Sequence, residues 1–453
     1  MKIIIIGGGL VGSLAAVFLG QKGHEVHLYE YRQDPRGTTL NEGRSINLAL
    51  SMRGRTALRA VGLEKIVLQK AIPMDGRMIH KTDGTTSSIT YDPVLKNCIY
   101  SVGRKHLNEL LLDEAENSPN VHLHFGKKLL KVNVSSGTIT LKVPDGATEE
   151  VKGDLIIGAD GAHSAVRRDL MKATPVTFSQ TYIDHGYLEL SIPPENNHMM
   201  APNHLHIWPR GKFMMIALPN LDGSWTVTLF MPLSSFTTLR ATKDILGFFQ
   251  THFSDAVELI GADRLVRTFM ANEASHLVSI KCSKYHYGSK VVIIGDAAHA
   301  MVPFFGQGMN AGFEDCTILN DLLHNHDYSV NRALELFSIK RNPDAEAICD
   351  LAMYNYIEMR DLVNRKSFII RKTVDNMLYR IVGSKWVPLY QSVTFTNMNY
   401  NQCLKNKKRQ DSVIRKASLF ALAAGTVSVA VFLLPKIMTG HSPLPNDFCS
   451  AHG

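Results

Sequence analysis

Two textures of hydrophobicity alternate along the chain. In the first, short aliphatic runs end in glycine and lead into segments with helical spacing. In the second, apolar and polar residues alternate between Pro, Gly and Asn. The first texture opens the sequence: Lys2–Ile6 is the run expected of a strand buried on both faces. Gly7, Gly9 and Gly12 follow in G-x-G-x-x-G spacing, and Leu14, Ala15, Val17, Phe18 and Leu19 supply the apolar side of a helix. Gly23 ends that helix, and residues 25–30 (EVHLYE) predict a second strand. A lysine before an apolar run has the outline of a secretory signal, but the glycines interrupt it and no small-residue cleavage site follows. The pattern predicts a dinucleotide grip instead. The first glycine permits the tight turn, the second lets a pyrophosphate approach the backbone, and the third lets helix and strand pack closely. The helix N-terminus offers amide hydrogens to the phosphates. Glu30, at the end of the second strand, is placed to accept hydrogen bonds from an adenosine ribose, which suits FAD or NAD and argues against NADP at this turn.

The same texture returns twice. Residues 155–157 predict a strand, followed by Asp160-Gly161 and a helix over 164–170. Residues 291–294 predict another, followed by Gly295-Asp296, a glycine-rich loop and a helix from about Asn310. Asp296 falls at the carboxyl end of its strand, where ligands of open α/β sheets bind, and its carboxylate suits sugar-alcohol hydroxyls. Gly306, Gly308 and the amides of the next helix are expected to face a cofactor carbonyl. The second texture fills 177–281 ("GYLELSIP", "HLHIWPR", "KFMMIALPN", "SWTVTLFMP") and predicts an antiparallel sheet forming the wall of a substrate pocket. Within it the histidines of "HLHIW" (204–208) are expected on one wet strand face rather than on a metal. From 342 to about 385 the spacing turns helical and predicts a cap.

Length changes this picture little: 453 residues, 45% hydrophobic and 20% charged, accommodate two or three globular units. The six cysteines are scattered without C-x-x-C or metal-ligand spacing, which fits a reduced cytosolic compartment and argues against a disulfide scaffold or zinc site. Charge changes it more. Much of the net +8 sits in Lys405, Lys407, Lys408, Arg409, Arg415 and Lys416. Nucleic acid is not the expected partner, because no aromatics interleave with this run. Residues 417–434 (ASLFALAAGTVSVAVFLL) follow it without a charge, at the lower length limit for a bilayer-crossing helix. A basic cluster before such a helix stays cytoplasmic and attracts anionic lipid. A tail anchor on a cytosol-facing catalytic body is the expectation.

The three turns, in this order, resemble the FAD-dependent aromatic hydroxylases, the single-component flavoprotein monooxygenases. That family carries an N-terminal GxGxxG, a DG motif like the one at 160–167 and a GD motif like the one at 295–319. One departure is that Val302 stands before a single Pro303, where the family often has two prolines after GDAAH. The resemblance implies an α/β fold, α+β overall, with a Rossmann-like FAD-binding domain (1–75, 98–175, 285–340). To this it adds a β-sheet substrate domain (76–97, 176–284), a helical region (341–400), a basic linker (401–416), a transmembrane helix (417–434) and a short tail (435–453). For the flavin it points to Gly7, Gly9, Val11, Gly12, Glu30, Arg32, Ala49, Arg104, Leu129, Asp160, Asp296, Met309 and Asn310. Arg104 opens a helical segment from which its cation reaches the cofactor phosphates, and Leu129 contributes backbone near the adenine.

Within the family, "GRSINLALSMRGR" (43–55), "IPMDGRMIH", "VPFFGQGMNAGFED", "MYNYIEMR" and "VPLYQSVTF" resemble the branch that acts on L-kynurenine at the mitochondrial outer membrane. This resemblance assigns Arg77, Tyr91, Asn355 and Tyr390 to the amino-acid end of the substrate. The residue types suit the task, since arginine grips a carboxylate bidentately while Tyr and Asn orient through neutral hydrogen bonds. The implied reaction passes hydride from a transiently bound NADPH to FAD, and dioxygen then becomes a flavin hydroperoxide that hydroxylates the activated ring. No catalytic side chain beyond the flavin is implied, and no metal. Two alternatives share the turns. A flavin-dependent halogenase or isoprenoid reductase uses the same fold, but Trp208, Trp225 and Trp386 form no WxWxIP stretch. A membrane-tethered, non-catalytic nucleotide-binding protein is the other. Oligomeric state is not legible here.

Overall fold

The structure, a computed structural model, describes residues 1–37, 47–325, 327–364 and 366–438, and of 197–199, 364 and 420–438 the backbone alone. Lys2–Ile6 lies inside a six-stranded sheet in the order His286–Tyr287, Val291–Ile293, Leu155–Gly158, Lys2–Ile6, Glu25–Tyr29, Val121–His124. Every pairing is parallel except the His286–Tyr287 edge. Parallel neighbours need long crossovers, and helix Leu10–Gln21 is the first of them. Covered on both faces, the strand holds Ile3, Ile4 and Ile5 at 0% exposure, which is why its sequence is a continuous apolar run. The next strand in sequence lies on one side of Lys2–Ile6 and Leu155–Gly158 on the other. The crevice at their carboxyl ends is a topological switch point, where ligands of such sheets bind.

The alternating texture forms a seven-stranded sheet in the order Ser275–Cys282, Phe178–Ile192, Trp225–Pro232, Met214–Pro219, His204–Pro209, Gly76–His80, Thr86–Thr90. Gly76–His80 enters it by parallel pairing with His204–Pro209, so an early segment completes a sheet made mostly later. Helices Thr242–His252, Ser254–Ile260 and Ala262–Ala271 cover one face, around a core that includes Trp208, Trp225, Phe249 and Phe253. This cover overturns the wet-face expectation for "HLHIW". His206 is buried, with Nδ1 2.7 Å from Nε2 of His80, whose Nδ1 lies 2.6 Å from Asp255. Burial pushes the His206 pKa down to about 3. Asp255 also accepts from Trp208 Nε1 at 2.8 Å, so the histidines stitch the helical layer to the sheet. Among the described residues no cluster of His, Cys, Asp and Glu is arranged to hold a metal ion.

The helical end is longer than its periodicity predicts. Val330–Arg360 begins well before 342 and carries Pro343 inside it, and Lys366–Val382, Leu389–Phe395 and Tyr400–Met438 follow. The chain forms two units, Met1–Cys403 and Leu404–Gly453. The basic stretch predicted as a linker is helical. Among the described residues no helix is long and apolar enough to cross a membrane, and from residue 420 onward the side chains of the predicted anchor lie outside them. Residues 43–46 of the 43–55 motif lie outside them too.

Candidate active site

The first turn is tight because its glycines leave no room for side chains. Gly7 sits at φ +108°, and a Cβ on it would stand 2.4 Å from the Ala159 carbonyl oxygen. A Cβ on Gly12 would stand 1.9 Å from the Gly7 carbonyl oxygen. Around Gly9 nothing lies within 4 Å of the same position, so the backbone faces open space where the motif puts a pyrophosphate. Helix Leu10–Gln21 starts there with no side-chain cap, leaving first-turn amides for an anion. The Glu30 carboxylate is oriented by the Gly8 N–H (2.8 Å) and the Arg32 N–H (3.0 Å). Each oxygen keeps acceptor capacity for a ribose hydroxyl. Arg32 itself is exposed, its Nε bonded to Tyr31 Oη. Leu129 is half-buried at the start of Lys128–Asn133, next to the Lys127 N–H that bonds the Glu30 carbonyl.

The other two turns close against the first. The Asp160 carboxylate is engaged within its own turn: it accepts from Ser164 Oγ (2.5 Å), Ala165 N (2.7 Å) and Val166 N (3.2 Å), at the start of helix Ala165–Ala173. Arg167 in that helix donates to the Ala162 carbonyl at 2.6 Å and the Ala297 carbonyl at 2.7 Å, tying the DG turn to the GD turn. Val11 fills the space left by two glycines, since a Cβ on Gly295 or Gly312 would stand 3.1 Å or 2.5 Å from its Cγ2. Asn310, fully buried, uses its amide on backbone: Nδ2 donates to the Ala49 and Gly306 carbonyls, and Oδ1 accepts from Ser51 N. The amide therefore fixes Ala49 and the 306 turn. Ala49 and Met309 are half-buried.

Asp296 differs from Asp160 in being exposed, at the start of helix Asp296–His299. Protein packed closely around it raises its pKa; His299 and Arg104 pull it down and Asp315 pushes it up. Arg104, exposed at the start of helix Arg104–Glu116, thus faces the same opening. An exposed carboxylate, an exposed guanidinium and uncapped helix amides around open space fit a flavin dinucleotide, which brings hydroxyls and phosphates to those groups. The floor is a buried ionic network that sequence reasoning missed. Asp315 accepts from the Gly295 N–H (2.8 Å), from His299 Nε2 (2.6 Å) and from Arg341 Nε (2.7 Å). Glu314 pairs with Arg341 and Arg53, and the Arg53 guanidinium lies over the Tyr400 ring. Charged residues inside an otherwise amphipathic helix such as Gly308–Leu323 were the available signal.

Three of the four substrate-assigned residues, Arg77, Tyr91 and Tyr390, form one box, and Asn355 stands one helical turn before Glu358, which pairs with Arg77. Arg77 is buried; Nη1 lies 3.2 Å from Glu358 Oε1, and Nε has no hydrogen-bond partner among the described residues. Its guanidinium stands over the rings of Tyr390 (4.7 Å) and Tyr91 (5.6 Å), which stack on each other at 5.1 Å. The Tyr91 hydroxyl lies near Arg77 and the Tyr390 hydroxyl without a hydrogen bond of normal geometry, and burial raises its pKa. Phe305 stacks on Tyr390 at 5.6 Å. Asn355 donates Nδ2 to the Phe304 carbonyl at 2.6 Å, fixing the turn Pro303–Phe305 in which the single retained proline stands. Two members escaped sequence reasoning. Glu358 lies one turn beyond Asn355 inside the quoted MYNYIEMR segment. Lys372, half-buried on helix Lys366–Val382, has its pKa lowered to about 8 by burial and by Arg77, with Glu358 opposing.

Comparison with known proteins identifies the family. A family model described as an FAD binding domain matches residues 1–352. The kynurenine 3-monooxygenase of Anopheles gambiae is 53% identical over 446 residues, covering 97% of this chain and 91% of its own length. That of Sus scrofa is 48% identical over 420 residues, covering 92% and 89%. Among solved structures, PqsL, a probable FAD-dependent monooxygenase of Pseudomonas aeruginosa, superposes with a TM-score of 0.65 at 19% identity, over 80% of this chain and 97% of its own. The tetrameric form of 2-methyl-3-hydroxypyridine-5-carboxylic acid oxygenase gives 0.65 at 20% identity, over 86% and 95%. These last two establish the fold. With the family model spanning most of the chain and such relatives sharing about half its residues over nearly its whole length, the chain belongs to the FAD-dependent aromatic monooxygenases and, within them, to the kynurenine 3-monooxygenase family.

Proposed function

We propose that this chain hydroxylates L-kynurenine to 3-hydroxykynurenine, holding FAD at the three turns and using NADPH as a reductant that visits and leaves. The observation that carries the substrate reading is Arg77, a buried cation with an unbonded Nε, boxed by Tyr91 and Tyr390. Such a site suits an anionic group joined to an aromatic ring. FAD, when bound, supplies hydride acceptance and oxygen activation. The chain's own residues do the rest. Glu30 takes the adenosine ribose, the amides after Gly9 and the Arg104 cation take the phosphates, and Asp296 takes the ribityl hydroxyls. Arg77 grips the substrate carboxylate in place of Glu358. The Tyr91 hydroxyl adds a neutral hydrogen bond, and Asn355 Oδ1 is the amide atom left for the substrate ammonium. Phe304 and Phe305 wall the ring and exclude water. The aniline nitrogen of kynurenine pushes electron density to its ortho carbon, so the ring needs positioning more than acid–base help.

Glu30 suits a ribose with a free 2′-hydroxyl and so reserves this turn for FAD, while the family resemblance supports NADPH as a donor that binds only transiently. The test is kynurenine-stimulated NADPH oxidation by yellow protein with 3-hydroxykynurenine as product; stimulation without hydroxylated product would overturn the assignment. We also propose a C-terminal anchor over 417–434 in the mitochondrial outer membrane, with the catalytic unit in the cytosol. Its support is the charge-free stretch behind the basic run and the family resemblance. Removing 405–453 should release the protein from membranes, and continued attachment would refute the anchor.

A further inference from the structure

Helix Lys366–Val382 is apolar on two sides: Phe368, Leu378 and Tyr379 face the protein, and a second set of large apolar residues faces outward. Ile369, Ile370, Met377 and Ile381 are 52%, 64%, 54% and 70% exposed, and at 3.6 residues per turn they fall on one face. The opposite face is the seated one. Tyr379 is buried, and Asp375 ties the helix down, accepting from Arg371 at 2.8 Å and from Trp386 Nε1 at 3.0 Å. Surface helices of globular proteins carry polar residues on the face away from the core, so this second apolar face has an occupant in the working protein. Its charges indicate which. Lys366 and Arg380 are exposed at the two ends of the stripe, while the helix's single carboxylate, Asp375, is engaged inward. Pairing with a second copy of the same face would set cations against cations. Exposed Ile and Met flanked by cations match instead the interface of an anionic bilayer, with the aliphatic side chains below the headgroups and Lys and Arg among them.

We propose that the outer face of helix Lys366–Val382 is a second membrane contact, lying in the plane of an anionic lipid surface. The proposal rests on the reading that the C-terminal segment holds this chain at a bilayer, and adds to it a contact made by the catalytic unit itself.

The test is hydrogen exchange of 366–382 in the full chain, one copy per nanodisc, in phosphatidylcholine discs with and without phosphatidylserine, and in detergent. Exchange is expected to slow about tenfold in the phosphatidylserine discs alone. The variant Ile370→Glu with Met377→Glu, altering outward side chains only, should exchange at the detergent rate while still co-eluting with the discs. Equal exchange in all three environments would overturn the proposal, as would protection that grows with protein concentration in detergent, which marks a second copy. A chain that fails to stay in discs defeats the anchor reading separately. Vesicles containing phosphatidylserine, added to that chain, then decide the helix, and unchanged exchange on their addition sinks the proposal.

Discussion

At the nucleotide turns, bare glycine backbone makes the contacts: Gly7 against the Ala159 backbone, Gly12 against that of Gly7, and Gly295 and Gly312 against the Val11 side chain. At the substrate end, side chains meet. Arg77 comes from one strand, Tyr91 from the loop after the next, Glu358 and Lys372 from two helices and Tyr390 from a third. The first region is specified locally, because spacing within a dozen residues dictates which positions must lack a side chain. The second is specified globally, because no spacing reveals that residues far apart in sequence share a box. A substitution in the first should therefore act on cofactor retention, and one in the second on substrate with the cofactor intact.

The largest effect expected is at Gly12. A methyl group there meets a carbonyl oxygen that cannot retreat without unravelling the turn, so Gly12→Ala should lower FAD affinity by about two orders of magnitude and cost stability as well. Gly9→Ala sharpens the point, since its methyl enters space empty of protein. The apo-protein melting temperature should stay put while FAD affinity falls about tenfold. Flavin absorbance of the purified variants and thermal melts of the stripped proteins separate the two. Equal loss of stability in both would mean that the space over Gly9 is not the phosphate path.

Arg77→Ala tests the other region. Removing a buried guanidinium that binds a carboxylate should raise KM about 100-fold, from loss of charge-assisted hydrogen bonds, with flavin content unchanged. Wild-type kynurenine affinity in this variant would show that the carboxylate goes elsewhere.

The same contrast explains what the sequence revealed. The strand Lys2–Ile6, the helix after it, Glu30 and the exposed Asp296 were readable because buried parallel strands and glycine turns constrain sequence position by position. Asp160 was readable as part of a turn, but not that its carboxylate would be engaged within it, since a carboxylate at the head of a helix serves either its own amides or a ligand. Asn310 was likewise findable, but not that its amide would be spent on the Ala49 and Gly306 carbonyls. The burial of His206 was illegible because the helix that covers it, Ser254–Ile260, lies some fifty residues further on and declares nothing about its partner face. Arg77 and Tyr390 came only from family resemblance, and Glu358 and Lys372 not at all, because a charge in isolation reads as surface.

Glu358 offers a finer division within the substrate region. It neutralises Arg77 at 3.2 Å, and in the proposed complex the substrate carboxylate replaces it. Glu358→Gln should destabilise the free protein by about 1–3 kcal/mol, since buried Arg77 loses the charge of its half-buried partner. The same change removes a competitor and should lower KM severalfold. A rise in KM like that of Arg77→Ala would instead assign Glu358 to the substrate ammonium.

The smallest expected effect belongs to Lys372, and its sign is distinctive. Burial first, and Arg77 next, lower its pKa to about 8, against 10.5 for an ordinary lysine, with Glu358 opposing. Below that value it is a second cation near the carboxylate site. As pH rises through it the charge is lost, so KM should climb about threefold between pH 7 and 9, and Lys372→Met should flatten the climb. Stability must move the other way. Between the folded value near 8 and the unfolded value near 10.5 the unfolded chain binds the extra proton, so the native state gains stability as pH rises across that window. Measured as wild type minus Lys372→Met, binding that weakens from pH 7 to 9 and stability that starts to rise at about pH 8 identify one titrating group beside Arg77. If both fall together, the inflection belongs to some other residue and Lys372 is no part of the substrate region.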